Sequence, residues 1–388
     1  MSAQMNVPKL RFSEFNGEWE EKKIANVLKI GSGKDYKHLQ SGDIPVFGTG
    51  GYMTSVNECL YDGESVCIGR KGTIDKPMYF NGKFWTVDTL FYTHSFNLSI
   101  PKFVYLVFQN INWKQYSEAS GVPSLSKNTI ENIEINIPQI TEQTKIATFL
   151  TSIDTKIDQL TKKQTFLKQY KKGVMQKLFS QELRFKADDG SEYSDWEEKT
   201  LGDIGKTYNG LTGKTAEDFG EGKPYIQYKQ IFDNSKIDVT KFGHVDIKLG
   251  DKQNIAQYGD VFFTISSETP TEVGFASVLL DDIDEVYLNS FCFGFRAKSF
   301  NILNPIFAQF LFRSFMFRKK VVKLAQGSTR YNMSKIEFIK TLIKIPSFDE
   351  QTKIANFLTA IDTKIDLATK QLEATKQFKK ALLQQMFV

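Results

Sequence analysis

The chain has 388 residues, 41% hydrophobic and 24% charged, with a formal net charge of +5 and a pI of about 8.7. That length can bury two good cores, and no apolar run reaches the roughly 18 residues of a membrane span or resembles a secretory signal, so the cytoplasm is expected and no membrane partner. Cys59, Cys67 and Cys292 form an odd set without close CxxC spacing, which suggests neither a disulfide frame nor a zinc module.

In chain order, the first half opens with Leu10-Arg11-Phe12 and Trp19-Glu20-Glu21-Lys22. Ser65-Val66-Cys67-Ile68 and Trp85-Thr86-Val87 read as strands, with Gly69-Arg70-Lys71-Gly72 and Asn81-Gly82-Lys83 as turns. A helix entered through proline is predicted at 101–113. Ser126-Lys127 and Ile137-Pro138 close the segment, and a long proline-free helix follows. Its apolar positions Ile146, Leu150, Ile153, Ile157, Leu160, Leu167, Val174 and Leu178 alternate steps of four and three, interrupted by Gln164 and Lys171.

The second half repeats this plan. Leu183-Arg184-Phe185 and Trp196-Glu197-Glu198-Lys199 open it. Strands are predicted at 260–265 and 275–280 around a polar loop at 266–272, and a second proline-entered helix at 305–317. Ser334-Lys335 and Ile345-Pro346 close it. A second long helix then carries Ile354, Leu358, Ile361, Ile365, Ala368, Leu372, Leu382 and Met386 on the same rhythm, interrupted by Thr375 and Lys379. Residues 142–180 and 350–388 align without a gap, with roughly 23 of 39 positions identical. The segments between the shared boundaries barely match. A repeated frame around divergent inserts is expected where both inserts dock alike and read different things.

Each helix would be about 55 Å long, so its seam needs a partner, and the nearest is its own copy. A pseudo-twofold relation would pair the two antiparallel and carry the variable domains to opposite ends. Two amphipathic helices, each packed on its own domain, are the alternative. The expected fold class is α+β: two recognition domains (1–140 and 183–348) joined by two long antiparallel coiled-coil helices (141–182 and 349–388). Lysines crowd the helices, as at Lys162, Lys163, Lys168, Lys171, Lys172 and Lys177, and a solvated flank explains them as well as a nucleic-acid partner does.

Familiar catalytic patterns are missing. There is no HExxH, no catalytic constellation among His38, His94 and His244, and no PD-(D/E)xK nuclease pattern. Gly213-Lys214-Thr215 mimics the end of a phosphate loop, but Tyr208 stands where the earlier glycine is needed. Asn304-Pro305-Ile306-Phe307 resembles the Asn-Pro-Pro-Tyr/Phe motif of adenine methyltransferases without its second proline, and a helix cap explains it. Gly48-Thr49-Gly50-Gly51 lacks the strand-loop-helix context of a dinucleotide site.

The order of variable domain, Glu-Gln-Thr-Lys-Ile-Ala-x-Phe-Leu-x-x-Ile-Asp-Thr-Lys-Ile helix, second variable domain and second such helix resembles the specificity subunit of type I restriction-modification systems. Gly69-Arg70-Lys71-Gly72-Thr73 with Phe84-Trp85-Thr86-Val87-Asp88-Thr89 is similar to the signature of one target-recognition class. The resemblance spans essentially the whole chain. It implies a non-catalytic reader of double-stranded DNA, each domain reading half of a split asymmetric target. The paired helices would act as a ruler and dock two methyltransferase subunits; two restriction subunits complete the enzyme. No cofactor is expected in this chain, and S-adenosylmethionine is expected in the partner methyltransferase subunit. A stand-alone adenine-N6 DNA methyltransferase would need its own cofactor pocket, and a coiled-coil adaptor would bind protein alone.

DNA-contacting candidates are polar or basic residues in loops near the repeat boundaries and in strand-connecting turns, since such loops enter a groove while the sheet stays rigid. In the first domain these are Lys34, Tyr36, Lys37, Arg70, Lys71, Lys76, Ser124, Ser126, Lys127 and Asn128. In the second they are Lys214, Tyr228, Lys229, Gln230, Ser266, Ser267, Thr269, Ser328, Arg330, Tyr331, Asn332 and Lys335. Arginines and amides suit guanine and adenine edges, and lysines suit phosphates.

Overall fold

The computed structural model describes residues 6–388, which divide into two compact units. One holds the chain up to Lys162 together with Thr369–Val388, and the other holds Lys163–Ala368. Each unit thus contains one variable segment, the start of the long helix that follows it and the end of the other long helix. The two helices run Ile140–Phe179 and Phe348–Met386.

The frame is the same in both units. In the first, the Trp-Glu-Glu-Lys signature becomes a strand, Glu20–Lys23, paired antiparallel with Glu134–Ile137, so that Glu20 faces Ile137. In the second, Glu197–Thr200 pairs with Leu342–Ile345, and Glu197 faces Ile345. Each ribbon places its Ile-Pro pair at the entrance to a long helix, where proline discourages helix in the residue before it.

The buried Glu-Gln pair in each first helical turn ties the unit together. Glu142 and Gln143 are 2% and 0% exposed, and Glu350 and Gln351 0% and 1%. Arg11 makes a two-pronged bond to Glu142 at 2.7 and 2.8 Å. Arg184 does the same to Glu350 at 2.8 and 3.2 Å, and Trp196 Nε1 donates to that carboxylate at 3.1 Å. Gln143 Nε2 donates to the carbonyls of Leu98 and Pro138, while its Oε1 accepts from Ser99 Oγ and the Ile100 amide. Gln351 repeats this with Ile302, Pro346 and the Asn304 amide. The repeated Leu-Arg-Phe, Ile-Pro and Glu-Gln motifs are therefore parts of one polar knot.

One four-stranded sheet in each variable segment has the same strand order. The first unit orders Lys29–Ser32, Leu90–His94, Ser65–Gly69 and Met78–Phe80, all antiparallel, and the second orders Gly205–Asn209, Cys292–Ala297, Val261–Thr264 and Ala276–Val278. A second sheet in each unit contains one parallel contact, Val46 with Trp85 and Tyr225 with Tyr287. At one cross-strand position the partners are exchanged. Gly31 lies opposite Tyr92 in the first unit, whereas Tyr208 lies opposite Gly294 in the second. The tyrosine ring covers the glycine so closely that an added Cβ would stand 2.2 Å from the Tyr92 ring and 2.1 Å from that of Tyr208.

Phe263, Phe293, Phe295, Phe307, Phe312, Phe317 and Phe338 form the centre of the second core, which accounts for much of the phenylalanine. The seam residues Ile146, Leu150 and Ile153 join the first domain's core, as Ile354, Leu358, Ile361 and Ile365 join the second's; Ile157 is half-buried at the edge of the first, and Leu160 is buried. The seam thus serves its own domain as well as the neighbouring helix. In each unit an early position on one helix meets a late one on the other, the sense of an antiparallel pair. Asp154 receives Lys379 at 2.7 Å and Asp362 receives Lys171 at 2.6 Å, and these are equivalent positions of the repeat.

Several element bounds differ from the sequence reading. The predicted 305–317 helix is two, Pro305–Leu311 and Phe315–Val321, because Ser314 caps the second through the Phe317 amide. Arg313, in the break, donates to the carbonyls of Ala276, Ile231, Phe232 and Asn234. The 101–113 helix ends at Asn110 and resumes as a 3-10 turn from Trp113. Part of the 266–272 loop is a short strand, Ser266–Ser267.

Removing one member of the knot strands a buried charge, so Arg184→Ala should lower unfolding free energy by about 3 kcal/mol, at the low end of the roughly 3–5 kcal/mol for a broken buried pair because Trp196 still donates to Glu350. Adding Glu350→Gln should restore part of the loss, and denaturant titration of the full chain checks both.

Candidate nucleic-acid interface

In the first unit, the fully buried strand Ser65–Gly69 delivers its turn to the surface. The Arg70 amide donates to Thr89 O at 2.7 Å, and its carbonyl accepts from the Leu125 amide at 2.9 Å. Pinned on both sides, the backbone leaves the guanidinium exposed. Lys71 bridges to Ser124, and the Gly72 amide donates to Pro123 O at 2.9 Å. The strand-end turn and the loop before the capped helix Lys127–Glu131 are thereby zipped together. Arg70, Lys71, Ser124, Ser126 and Lys127 line one cleft of about 690 Å³ with Ser32 and Phe91.

Two further residues of this cleft escaped the sequence reading. Val122 is 56% exposed on the loop crest. Glu118 accepts from the Ser126 amide at 3.0 Å and from the Thr129 hydroxyl. Those bonds hold its carboxyl below the usual range, so the cleft carries a fixed negative charge among three cations. Aligning the equal-length loops that precede Ser126-Lys127 and Ser334-Lys335 sets Val122 against Arg330 and would have flagged it.

The other first-unit candidates lie outside the cleft. Lys34 is exposed, but its carbonyl accepts Trp85 Nε1 at 2.8 Å. Tyr36 packs partly into the small core of Val46, Val56, Trp85 and Val87, a correction to its expected surface role. Lys37 and Lys76 are exposed. Asn128 is exposed too; of the cleft residues beside it, Ser126 caps its helix through the Thr129 amide and Lys127 pairs with Glu131 at 3.6 Å.

The second unit builds the same zipper from other residues. The Ile265 amide donates to Phe291 O and the Met333 amide to Ile265 O, both at 3.0 Å. Ser266 pairs with Asn332 and Ser267 with Tyr331. Tyr228 OH donates to Ser266 O at 2.7 Å. Arg330 is exposed at the hairpin tip, its guanidinium carbon 5.9 Å from the ring centre of Phe291. Lys229, Thr269, Ser328 and Asn332 are also exposed, and Lys335 Nζ reaches Asn209 Oδ1.

Four second-unit expectations need correction. The Lys214 side chain is only 5% exposed, paired with Asp251 and donating to Asp246 O, so it holds a loop together. Gln230 is buried, and its Nε2 donates to Lys241 O. Ser266 and Ser267 are buried too, with Ser267 Oγ donating to Glu272 at 2.9 Å. Asn304 caps its helix through the amides of Ile306 and Phe307, as the cap reading required. No cluster of three or more metal-ligating side chains occurs among the described residues, nor is any of their helices long and apolar enough to cross a membrane.

The same frame is thus built twice, and each copy presents its own loop surface. Residues 16–169 and 193–377 match the family described as the type I restriction modification DNA specificity domain. The chain belongs to that family: it is a type I restriction-modification DNA specificity subunit, a non-catalytic component. It is 26% identical over 346 residues to the MjaVIII specificity subunit of Methanocaldococcus jannaschii, covering 84% of this chain and 76% of that one. It is 24% identical over 168 residues to the EcoprrI specificity subunit of Escherichia coli, 39% of this chain and 40% of that one. Among solved structures, the S subunit from M. genitalium shares the fold with a TM-score of 0.66 at 17% identity, covering 98% of this chain and 99% of that one. A chain from a structure describing complex assembly in the type I system has a TM-score of 0.56 at 14% identity, covering 94% and 96%.

Geometry separates two cations that look alike in sequence. Lys214→Ala should lower the unfolding temperature of the full chain, whereas Arg70→Ala should move it by no more than about 1–2 °C, as expected for an exposed surface change. Differential scanning fluorimetry of both variants checks this.

Proposed function

We propose that this chain reads an asymmetric, two-part sequence in double-stranded DNA, one part per unit, and docks two methyltransferase and two restriction subunits in a cytoplasmic complex. S-adenosylmethionine and the catalytic groups belong to those partners. One observation carries the two-part reading: the knot, the ribbon and the helix pair are the same in both units, while the loops each zipper presents differ in nearly every side chain. Equivalent surfaces with different chemistry suit two different half-sites. The related restriction enzyme specificity subunits supply the partner chemistry.

In the first unit, Arg70 would donate two bonds to a guanine edge, with Lys71 and Lys127 on flanking phosphates and Ser124 within reach of a base. Glu118 would accept from a cytosine amino group and disfavour phosphate nearby. In the second unit, Arg330, Tyr331 and Asn332 form the corresponding surface, and the lysines Lys229 and Lys335 supply phosphate contacts.

Replacing residues 183–346 with the second variable segment of another family member should change one half of the methylated sequence and leave the other as it was. Methylome sequencing of cells carrying the hybrid checks this, and altered bases in both halves would refute independent readers. The chain alone should bind no S-adenosylmethionine by calorimetry.

A further inference from the structure

The zippers allow the two reading surfaces to be compared position by position. The Arg70 amide meets Thr89 O and the Ile265 amide meets Phe291 O; the Leu125 amide meets Arg70 O and the Met333 amide meets Ile265 O. Arg70 therefore corresponds to Ile265, and Thr89 to Phe291. The loops leading into the two capping serines have equal length and the same closing contact, Glu118 N to Ser124 O in one and Gln326 beside Asn332 in the other, so Val122 corresponds to Arg330. In the first unit the strand-end turn carries the arginine and the facing loop an exposed valine. In the second the turn carries isoleucine and the facing loop the arginine. The guanidinium has changed loops while each surface keeps one.

An arginine moved to a hairpin tip loses the two-sided backbone anchorage that Arg70 has. Phe291 replaces it. Its carbonyl accepts from Ile265 and its amide donates to Asn289 Oδ1 at 2.9 Å, so the backbone is fixed, yet the residue is 58% exposed beside Arg330. A ring face within about 6 Å attracts a guanidinium and so restricts where it swings. A large exposed ring is otherwise unfavourable on a solvated loop.

We infer that Phe291 is the positioning residue for Arg330, and that the pair is the second half's counterpart of Arg70, presenting one guanidinium to a guanine edge from the opposite loop. This rests on the DNA-reading function proposed above. Thr89, at the same position in the first unit, has no such task because Arg70 is already held.

The test uses the full chain assembled with its methyltransferase partner and a duplex pool randomised across the target, reading the sequences that become methylated. Arg330→Ala should relax the preference at one base pair of the second half by about 5- to 150-fold. Phe291→Ala should relax the same base pair by a smaller factor, Phe291→Tyr should retain the preference, and Phe291→Ala with Arg330→Ala should be no worse than Arg330→Ala alone. Preferences in the first half should not move, which also reports that each variant is folded. The inference is overturned if Phe291→Ala leaves every preference intact, weakens all sequences alike, or acts on a different base pair from Arg330→Ala. It is overturned as well if Arg330→Ala leaves the second half unchanged. A wild-type complex without sequence preference would instead sink the DNA-reading function itself, and this inference with it.

Discussion

Everything variable in this molecule hangs from two buried carboxylates. Glu142 and Glu350 sit without solvent at the first turn of their helices, where the helix dipole favours negative charge. Each is tied to an arginine from the opening of its own half. A buried charge is tolerable only when its partners are fixed, so the knot fixes the rotation and height of the helix against the domain. The adjoining glutamine does the same for the loop ahead of the proline-entered helix. Because the carboxylate needs Arg11 or Arg184, and the amide needs three backbone groups, the repeat cannot drift at these positions although most of each half does.

The knot also explains how the reading surfaces vary without loss of fold. The zipper joining the strand-end turn to the pre-helix loop consists of main-chain hydrogen bonds, with donors and acceptors that every residue other than proline supplies. Arg70 and Ile265 occupy the same node of it, as do Thr89 and Phe291. The Arg70 and Phe291 side chains are exposed at these nodes and free to vary, whereas Ile265 packs partly against the core. Where the second unit does commit polar side chains, at Arg313 and Arg318, they are bound to carbonyl groups and flank Phe275, and burial lowers both guanidinium pKa values to about 10.

Much of the frame could be read in the sequence because it is written there twice. The boundary motifs, the helices and the bare pattern of apolar steps all correspond to elements of the structure. The candidate site was less legible, for reasons of distance along the chain. Lys214 looks like a free surface cation until Asp251, 37 residues away, is folded against it. Gln230 is claimed by the Lys241 carbonyl, 11 residues on, and Ser267 by Glu272 within its own loop, neither of which a polar loop pattern announces. Phe291 failed in the opposite direction, since in a phenylalanine-rich domain burial is the default for such a ring. The break at Arg313 was hidden because the apolar pattern continues through it, and only the Ser314 cap interrupts the helix.

The exchanged Gly31–Tyr92 and Tyr208–Gly294 pairs limit how the two halves can mix. A crossover between them that joined the first strand of one to the later strand of the other would set two rings on one spot, or leave two glycines facing across an uncovered gap. Crossovers inside a domain are thus punished by packing, while those at the knot join identical chemistry and carry no such penalty. Each domain is thus packed as a sealed cartridge on a common fitting, and fragments of two different ones do not add up to a third.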